Sequence, residues 1–210
     1  MDSIDKLTEL FRHFPGIGPR QAKRFVYFLL NEPASAIQEL VLELQALKQS
    51  IATCPECFRY FPISEIQDDN GLCSICRNPA RDRSTLMVVS RDIDLQAMEK
   101  SRAFSGIYFV LGGAVPLLEE RPEDKVRGSQ LVAEVEKKAN QTPRPLKEII
   151  VATNLNPEGE HTAAYIAQIL LSKTKEYSIK VSTLGRGLST GTELEYSDSD
   201  TIKSALENRR

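Results

Sequence analysis

The sequence predicts a multi-domain α/β protein. It should contain a helical N-terminal domain, a small cysteine-bearing module, an α/β domain with a mainly parallel sheet, and a short C-terminal segment. Three observations carry this reading. Apolar residues in the first fifty positions recur at helical spacing and are interrupted by Pro15-Gly16-Ile17-Gly18-Pro19. All four cysteines fall between Cys54 and Cys76. From Ser84 onward, short β-rich runs alternate with helical patterns, which implies βαβ units with helices covering the sheet.

The first helix follows from Ile4, Leu7, Leu10, Phe11 and Phe14, and the Pro-Gly cluster must end it. Ala22, Phe25, Val26 and Leu29 mark a second helix, closed by Pro33. Ser35 with Gln38 reads as a capping box that opens a third helix. Its apolar face is Ile37, Leu40, Val41, Leu44, Leu47 and Ile51. Residues 54–83 are rich in turn formers and too poor in apolar residues to fold unaided. Strands are then expected at Thr85–Val89, Ile107–Leu111, Glu148–Ala152 and Ile179–Thr183. Helices are expected around Leu95–Glu99, Leu131–Ala139, Thr162–Leu171 and Thr201–Leu206. The expected divisions are 1–53, 54–83, 84–188 and 189–210.

Hydrophobic residues make up 41% and charged residues 27% of the 210 positions. Those values exclude a wholly disordered, collagen-like or simple coiled-coil chain. No apolar run approaches the ~18 residues of a membrane span. The start, Met-Asp-Ser-Ile-Asp-Lys, carries no secretory pattern, so the expectation is a soluble cytoplasmic protein. A net charge of −2 excludes a globally basic surface, and any polyanion site must be a local patch.

The cysteines are spaced Cys54-x2-Cys57, fifteen residues, then Cys73-x2-Cys76. Each pair lets two thiolates reach one tetrahedral ion, and the intervening loop brings the pairs together. Four soft thiolates suit zinc and leave no open coordination position. The ion should therefore be structural and should supply the folding free energy the segment lacks. The competing reading is two unrelated pairs of buried or redox cysteines.

Between Glu9 and Glu32 no acid occurs, while Arg12, Arg20, Lys23 and Arg24 all lie there. Gly16 and Gly18 permit close approach of the backbone to a ligand. The helix that follows presents free N–H groups and its positive dipole end, a seat for phosphate. Phe14–Arg24 resembles the helix-hairpin-helix motif, which grips the DNA backbone without reading sequence. The alternative is a plain helix–helix turn with solvated cations.

Asn154-x3-Glu158-Gly159-Glu160-x-Thr162 joins a strand to a helix. Ligands collect at the carboxyl ends of strands in open parallel sheets, and two carboxylates there could hold Mg²⁺. Equally, Glu158 and Glu160 could complement the helix dipole. His161 has no partner ligand nearby in sequence and reads as a surface residue.

Taken in order, Phe14–Arg24, Cys54–Cys76, Phe104–Gly113, Ala152–Thr162 and Gly187–Asp198 resemble the RecR family of bacterial recombination mediators over essentially the whole chain. In the last stretch Gly191, Glu193, Leu194, Glu195 and Asp198 match the family's closing pattern. The resemblance implies a Toprim domain over about Ser84–Leu188 and zinc on Cys54, Cys57, Cys73 and Cys76. It also implies DNA contact through the hairpin at Gly16, Gly18, Arg20, Lys23 and Arg24. It implies a ring-forming, homo-oligomeric clamp in recombinational DNA repair, acting with RecO and RecF to load recombinase on single-stranded gaps, without catalysis.

The chain departs from Toprim enzymes at one telling position. Ser90 stands where a strand-end glutamate is usual, although Asp94 is retained. Asp94, Glu158 and Glu160 are the candidate acidic site, and losing the strand-end carboxylate disfavours phosphodiester chemistry. The loop Val115-Pro116-Leu117-Leu118-Glu119-Glu120-Arg121 also lacks the family's glycine-rich, Ser-Pro-type sequence. Two other readings remain: a metal-dependent Toprim nuclease, and a zinc-bearing interaction protein without DNA binding.

Overall fold

The structure, a computed structural model, describes residues 2–67, 69–185, 187, 188, 191 and 193–207. The chain divides into two units, Met1–Ile51 and Ala52–Arg210. Of the expected C-terminal segment 189–210, residues 189, 190, 192 and 208–210 lie outside the described residues.

The first unit is helical. The Asp2 carboxylate accepts the Asp5 N–H at 2.8 Å and starts α1 (Ser3–Arg12). The chain then turns through Ile17, whose N–H donates to the Phe14 carbonyl at 3.1 Å. Gly16 has φ +77°, a left-handed conformation that favours glycine. Gly18 takes the N-cap position of α2 (Pro19–Asn31) without a side chain to cap it, and Pro19 takes the first helical position, where its missing N–H costs nothing. Helix α2 buries Ala22 and Val26, and Phe11 of α1 lies edge-on to Phe25 of α2 at 5.7 Å.

The third helix, α3 (Ala34–Ser50), differs from expectation at its start. Pro33, not Ser35, is the N-cap, and no side-chain capping bond forms. Pro33 at φ −65° already sets the entry, and its carbonyl accepts the first amide at Ala36. Ser35 therefore lies inside the first turn, and the expected capping box is absent. None of α3 is buried, and Leu40, Val41, Leu44 and Leu47 are each more than two-fifths exposed.

The second unit begins within β1 (Ile51–Thr53), which pairs with β2 (Tyr60–Pro62), and continues to the short helix α4 (Ser74–Arg77). A four-stranded parallel sheet follows in the order β4-β3-β5-β6. Its strands are β3 (Asp82–Val89), β4 (Gly106–Val110), β5 (Glu148–Ala152) and β6 (Lys180–Thr183). The connecting helices are α5 (Asp92–Ser101), α6 (Gly128–Ala139) and α7 (Pro157–Glu176), and α8 (Ser199–Glu207) comes last.

β5 begins and ends where the sequence places it. By contrast α7 starts five residues before the expected Thr162, because the Asn156 side chain accepts the Gly159 N–H at 2.8 Å and Pro157 supplies the first helical residue. The helix also runs on to Glu176, past the expected Leu171.

The pleat divides the core into two layers. Leu86, Val88, Ile107, Phe109, Ile149 and Val151 share one cluster with Leu131 and Val135 of α6 and Ile166 and Leu170 of α7. The alternate residues Met87, Val89, Tyr108 and Val110 share the other with Leu95 of α5, Phe61, Ile75 and the four cysteines. The cysteine segment thus borrows the sheet's second face as its core. Each fully buried aliphatic or aromatic side chain there contributes about 1.5–3 kcal/mol.

Candidate metal centre and nucleic-acid interface

The four cysteines are reduced and buried, each at most 2% exposed. Their sulfur atoms lie within 4.8 Å of one another, and Cys57 Sγ is 3.6 Å from Cys73 Sγ. Four sulfurs held tetrahedrally at about 2.3 Å from zinc stand about 3.8 Å apart, so the spacing fits such an ion.

Local backbone geometry makes the two knuckles. The Cys54 carbonyl accepts the Phe58 N–H at 2.9 Å, and Phe58 turns through φ +60°. The Cys73 carbonyl accepts the Arg77 N–H at 3.0 Å within α4. The crowding couples the thiols: hydrogen bonds from Cys57, Cys73 and Cys76 drive the Cys54 pKa down, while Cys57 is driven up by its thiol partners and burial. Four such groups become thiolates together only around a cation.

The centre is fastened to the sheet by bonds the sequence did not announce. The Cys57 carbonyl accepts the Val110 N–H at 2.8 Å, on the outer edge of β4. The Cys76 carbonyl accepts from Arg83 Nη2 at 2.7 Å. Glu56, inside the first Cys-x2-Cys, pairs with Lys138 Nζ at 3.3 Å and Lys137 Nζ at 3.3 Å. Lys138 is 4% exposed and sits 2.9 Å from Glu134 Oε1, an ion pair angled outside hydrogen-bond geometry. Burial opposes its charge, but the two carboxylates prevail and raise its pKa.

At the hairpin, Gly16, Gly18, Arg20, Lys23 and Arg24 are all exposed. Gly18 brings no side-chain cap to α2, and no acid occupies its first turn. Arg12 is taken by Glu9 at 2.8 Å, whereas Arg20, Lys23 and Arg24 form no ion pair among the described residues. An uncapped helix start flanked by three unneutralised cations can receive phosphate oxygens.

The acidic residues share a location without converging. Asp94 follows β3 and Glu158 and Glu160 follow the adjacent β5, at the carboxyl edge of the sheet. Among the described residues, however, only the four cysteines bring three or more ligand atoms within 4.8 Å. Asp94 Oδ2 accepts the Arg91 N–H at 2.9 Å, and Ser90, 2% exposed, has no hydrogen-bond partner for its Oγ among the described residues. Glu158 and Glu160 occupy the first turn of α7, where they complement its dipole. His161 is partly buried, with Nδ1 3.3 Å from the Val115 carbonyl oxygen.

The neighbouring motif residues do structural work. Thr162 Oγ1 donates to the Glu158 carbonyl at 2.6 Å and accepts the Val115 N–H at 2.9 Å, tying the loop after β4 to α7. Gly159 packs against the Asn154 carbonyl so closely that a Cβ there would overlap it. In the closing segment Asp198 accepts the Thr201 N–H at 2.9 Å and starts α8. Sequence reasoning missed a further group: Glu99 is held by Arg81 and by the Tyr108 hydroxyl at 2.8 Å. Only the polar position of Tyr108 within an apolar strand signals it.

Comparison with known proteins agrees with this arrangement. Residues 4–48 match the family model described as RecR, helix-hairpin-helix, residues 84–185 match the Toprim domain, and residues 187–210 match RecR, C-terminal. Curated relatives named recombination protein RecR align over nearly the full length. The protein from Carboxydothermus hydrogenoformans is 39% identical over 211 residues, covering 100% of this chain and 96% of the relative. That from a Roseiflexus species is 36% identical over 207 residues, covering 99% and 93%. That from a Cyanothece species is 36% identical over 207 residues, covering 99% and 95%. No described helix is long and apolar enough to cross a membrane. With the helix-hairpin-helix, Toprim and C-terminal models matched in turn along the chain, and relatives 36–39% identical over nearly its full length, the chain belongs to the RecR family of recombination proteins.

Proposed function

We propose that the chain is a non-catalytic DNA-binding clamp of recombinational repair, held together in part by structural zinc, and that it acts with RecO and RecF. The observation that carries this is the α2 start: exposed Gly16 and Gly18, no cap, and Arg20, Lys23 and Arg24 without ion partners. Contacts of this kind go to phosphates and position a protein without reading bases. Ser90 at the end of β3 and the unclustered Asp94, Glu158 and Glu160 support a domain that does not cut. The Mg²⁺ reading of those acids gains no support from their placement. The exposed leucines of α3 support self-association, because apolar faces of that kind mark contact surfaces.

The test uses end-labelled gapped duplex with Mg²⁺, split between native and denaturing gels. The expected result is retarded, uncut DNA whose retardation falls with salt. Lys23→Glu with Arg24→Glu should abolish the shift with zinc content unchanged. Cleaved DNA would favour the nuclease reading. Unaltered affinity in the double variant would remove the hairpin from the interface.

A further inference from the structure

A cavity of about 250 Å³ opens between the two cysteine knuckles and α5. Arg59 lies just beyond the first Cys-x2-Cys, Ser74 and Ile75 lie inside the second, and α5 supplies Asp92, Gln96 and Glu99. The cation in this cavity is poorly matched. The Arg59 side chain is 17% exposed, and its nearest carboxylate oxygen, Glu65 Oε2, is 3.9 Å away. That oxygen already accepts the Ser74 hydroxyl at 3.1 Å. No side-chain hydrogen bond reaches the Arg59 guanidinium from the described residues. A partly screened guanidinium with one long ion pair keeps hydrogen-bond donors to spare on the side that faces the cavity.

The acids across the cavity are already engaged. Glu99 is held by Arg81 and by the Tyr108 hydroxyl at 2.8 Å. Asp92 Oδ1 accepts the Tyr60 N–H at 2.7 Å, and Asp92 sits in the first turn of α5, where the helix dipole favours its charge. What stays open is the set of Arg59 donors, which call for the oxygens of an anion. A guanidinium fork matches a carboxylate in bidentate fashion. A doubly charged phosphate would meet stronger repulsion from Asp92 and Glu99. The volume falls below the ~300–1,000 Å³ usual for small-molecule sites, which suits a single anchoring residue. Buried Ile75 and Leu95 give that residue's stem an apolar wall.

We propose that this cavity is a docking pocket for one acidic side chain of a partner polypeptide, lying beside an apolar residue and gripped by Arg59. Both knuckles form its walls, so it should exist only in the metal-loaded protein.

The test is an amide NMR titration of the zinc-loaded, full-length protein with N-acetyl-Leu-Asp-amide, whose one carboxylate is the side chain, its diamide analogue N-acetyl-Leu-Asn-amide, propionate and inorganic phosphate. The dipeptide should give saturable shifts at Tyr60, Ser74, Ile75 and Gln96, and the diamide none. Arg59→Ala should weaken binding about thirtyfold or more, the scale expected for truncating one partner of a buried charge pair. Gln96→Trp, at an exposed position on the rim, should block the mouth and abolish the shifts without lowering the melting temperature, which keeps the test valid should Arg59→Ala fold poorly. Absence of saturation, or equal binding of the diamide, overturns the proposal. Tighter binding of phosphate refutes the carboxylate class. Propionate binding as tightly as the dipeptide refutes a polypeptide partner.

Discussion

Replacing Cys54 with serine should release the metal and loosen one face of the sheet, an effect reaching well beyond residues 54–83. The anchors at risk can be counted in the structure. The Val110 amide loses the Cys57 carbonyl, a neutral hydrogen bond worth about 1 kcal/mol. Arg83 loses the Cys76 carbonyl, a charge-assisted bond worth about 1.5–3 kcal/mol. Phe61 and Ile75, at 1% and 6% exposure, leave Met87, Val89 and Tyr108, at about 1.5–3 kcal/mol each. Partial relaxation leaves a loss of about 5 kcal/mol, a large share of the ~5–15 kcal/mol that holds a protein folded. At roughly 2–4 °C per kcal/mol for a unit this size, the melting temperature should fall by about 10–20 °C. Hydrogen exchange gives the sharper readout: the Val110 amide should lose protection, while Ile149 and Val151, facing α6 and α7, keep theirs. New protease cleavage should appear within 54–83. A metal-free variant with unchanged melting, cleavage and Val110 protection would refute the reasoning.

Other perturbations separate structural from functional roles. Gly159→Ala should cost about 3 kcal/mol in thermal unfolding, because the new methyl meets the Asn154 carbonyl backbone, which has little room to move. Glu158→Ala should cost only about 0.5 kcal/mol, the worth of an exposed first-turn carboxylate, and a large fall in melting temperature would contradict that placement. Glu99 is pushed upward by burial but pulled further down by Arg81 and Tyr108, so its carboxyl titrates below its ordinary range. Its stabilising effect is therefore present above about pH 4.3, the unfolded value, and is lost as pH falls through the lower folded value. Glu99→Gln should flatten the fall in melting temperature on acidification, and an identical acid profile would show that the pair does not couple to folding.

Much of the architecture was legible in the residue order, for reasons specific to each element. Strands β4 and β5 are covered on both faces, so they read as apolar runs; β5 ends where expected, while β4 is Gly106–Val110, one residue ahead of the expected Ile107–Leu111. The cysteine pairs announce themselves because two thiolates at Cys-x2-Cys spacing can reach one ion wherever the chain goes. The hairpin is equally local, since Gly16 and Gly18 shape a turn through their own backbone freedom. The Ser35 and Gln38 pattern misled because a proline immediately before it had already set the helix entry. The Asn154–Thr162 motif was ambiguous for another reason: its glycine and threonine serve contacts to Asn154 and Val115, and the carboxylates between them look the same whether they bind an ion or face a helix dipole.

The sequence by itself determined what depends on neighbours in the chain: the helical and strand periods, the cysteine spacing, the turn glycines and the acid-free basic window. Tertiary structure alone decided which separated groups meet. It placed the cysteine segment on the second face of the sheet, set Glu56 against Lys138 and Cys57 against the edge of β4, and left Arg59 with one long ion pair to Glu65. Those outcomes depend on the crossing of chain segments many residues apart. Each is fixed by how the whole apolar surface packs, which no local pattern encodes.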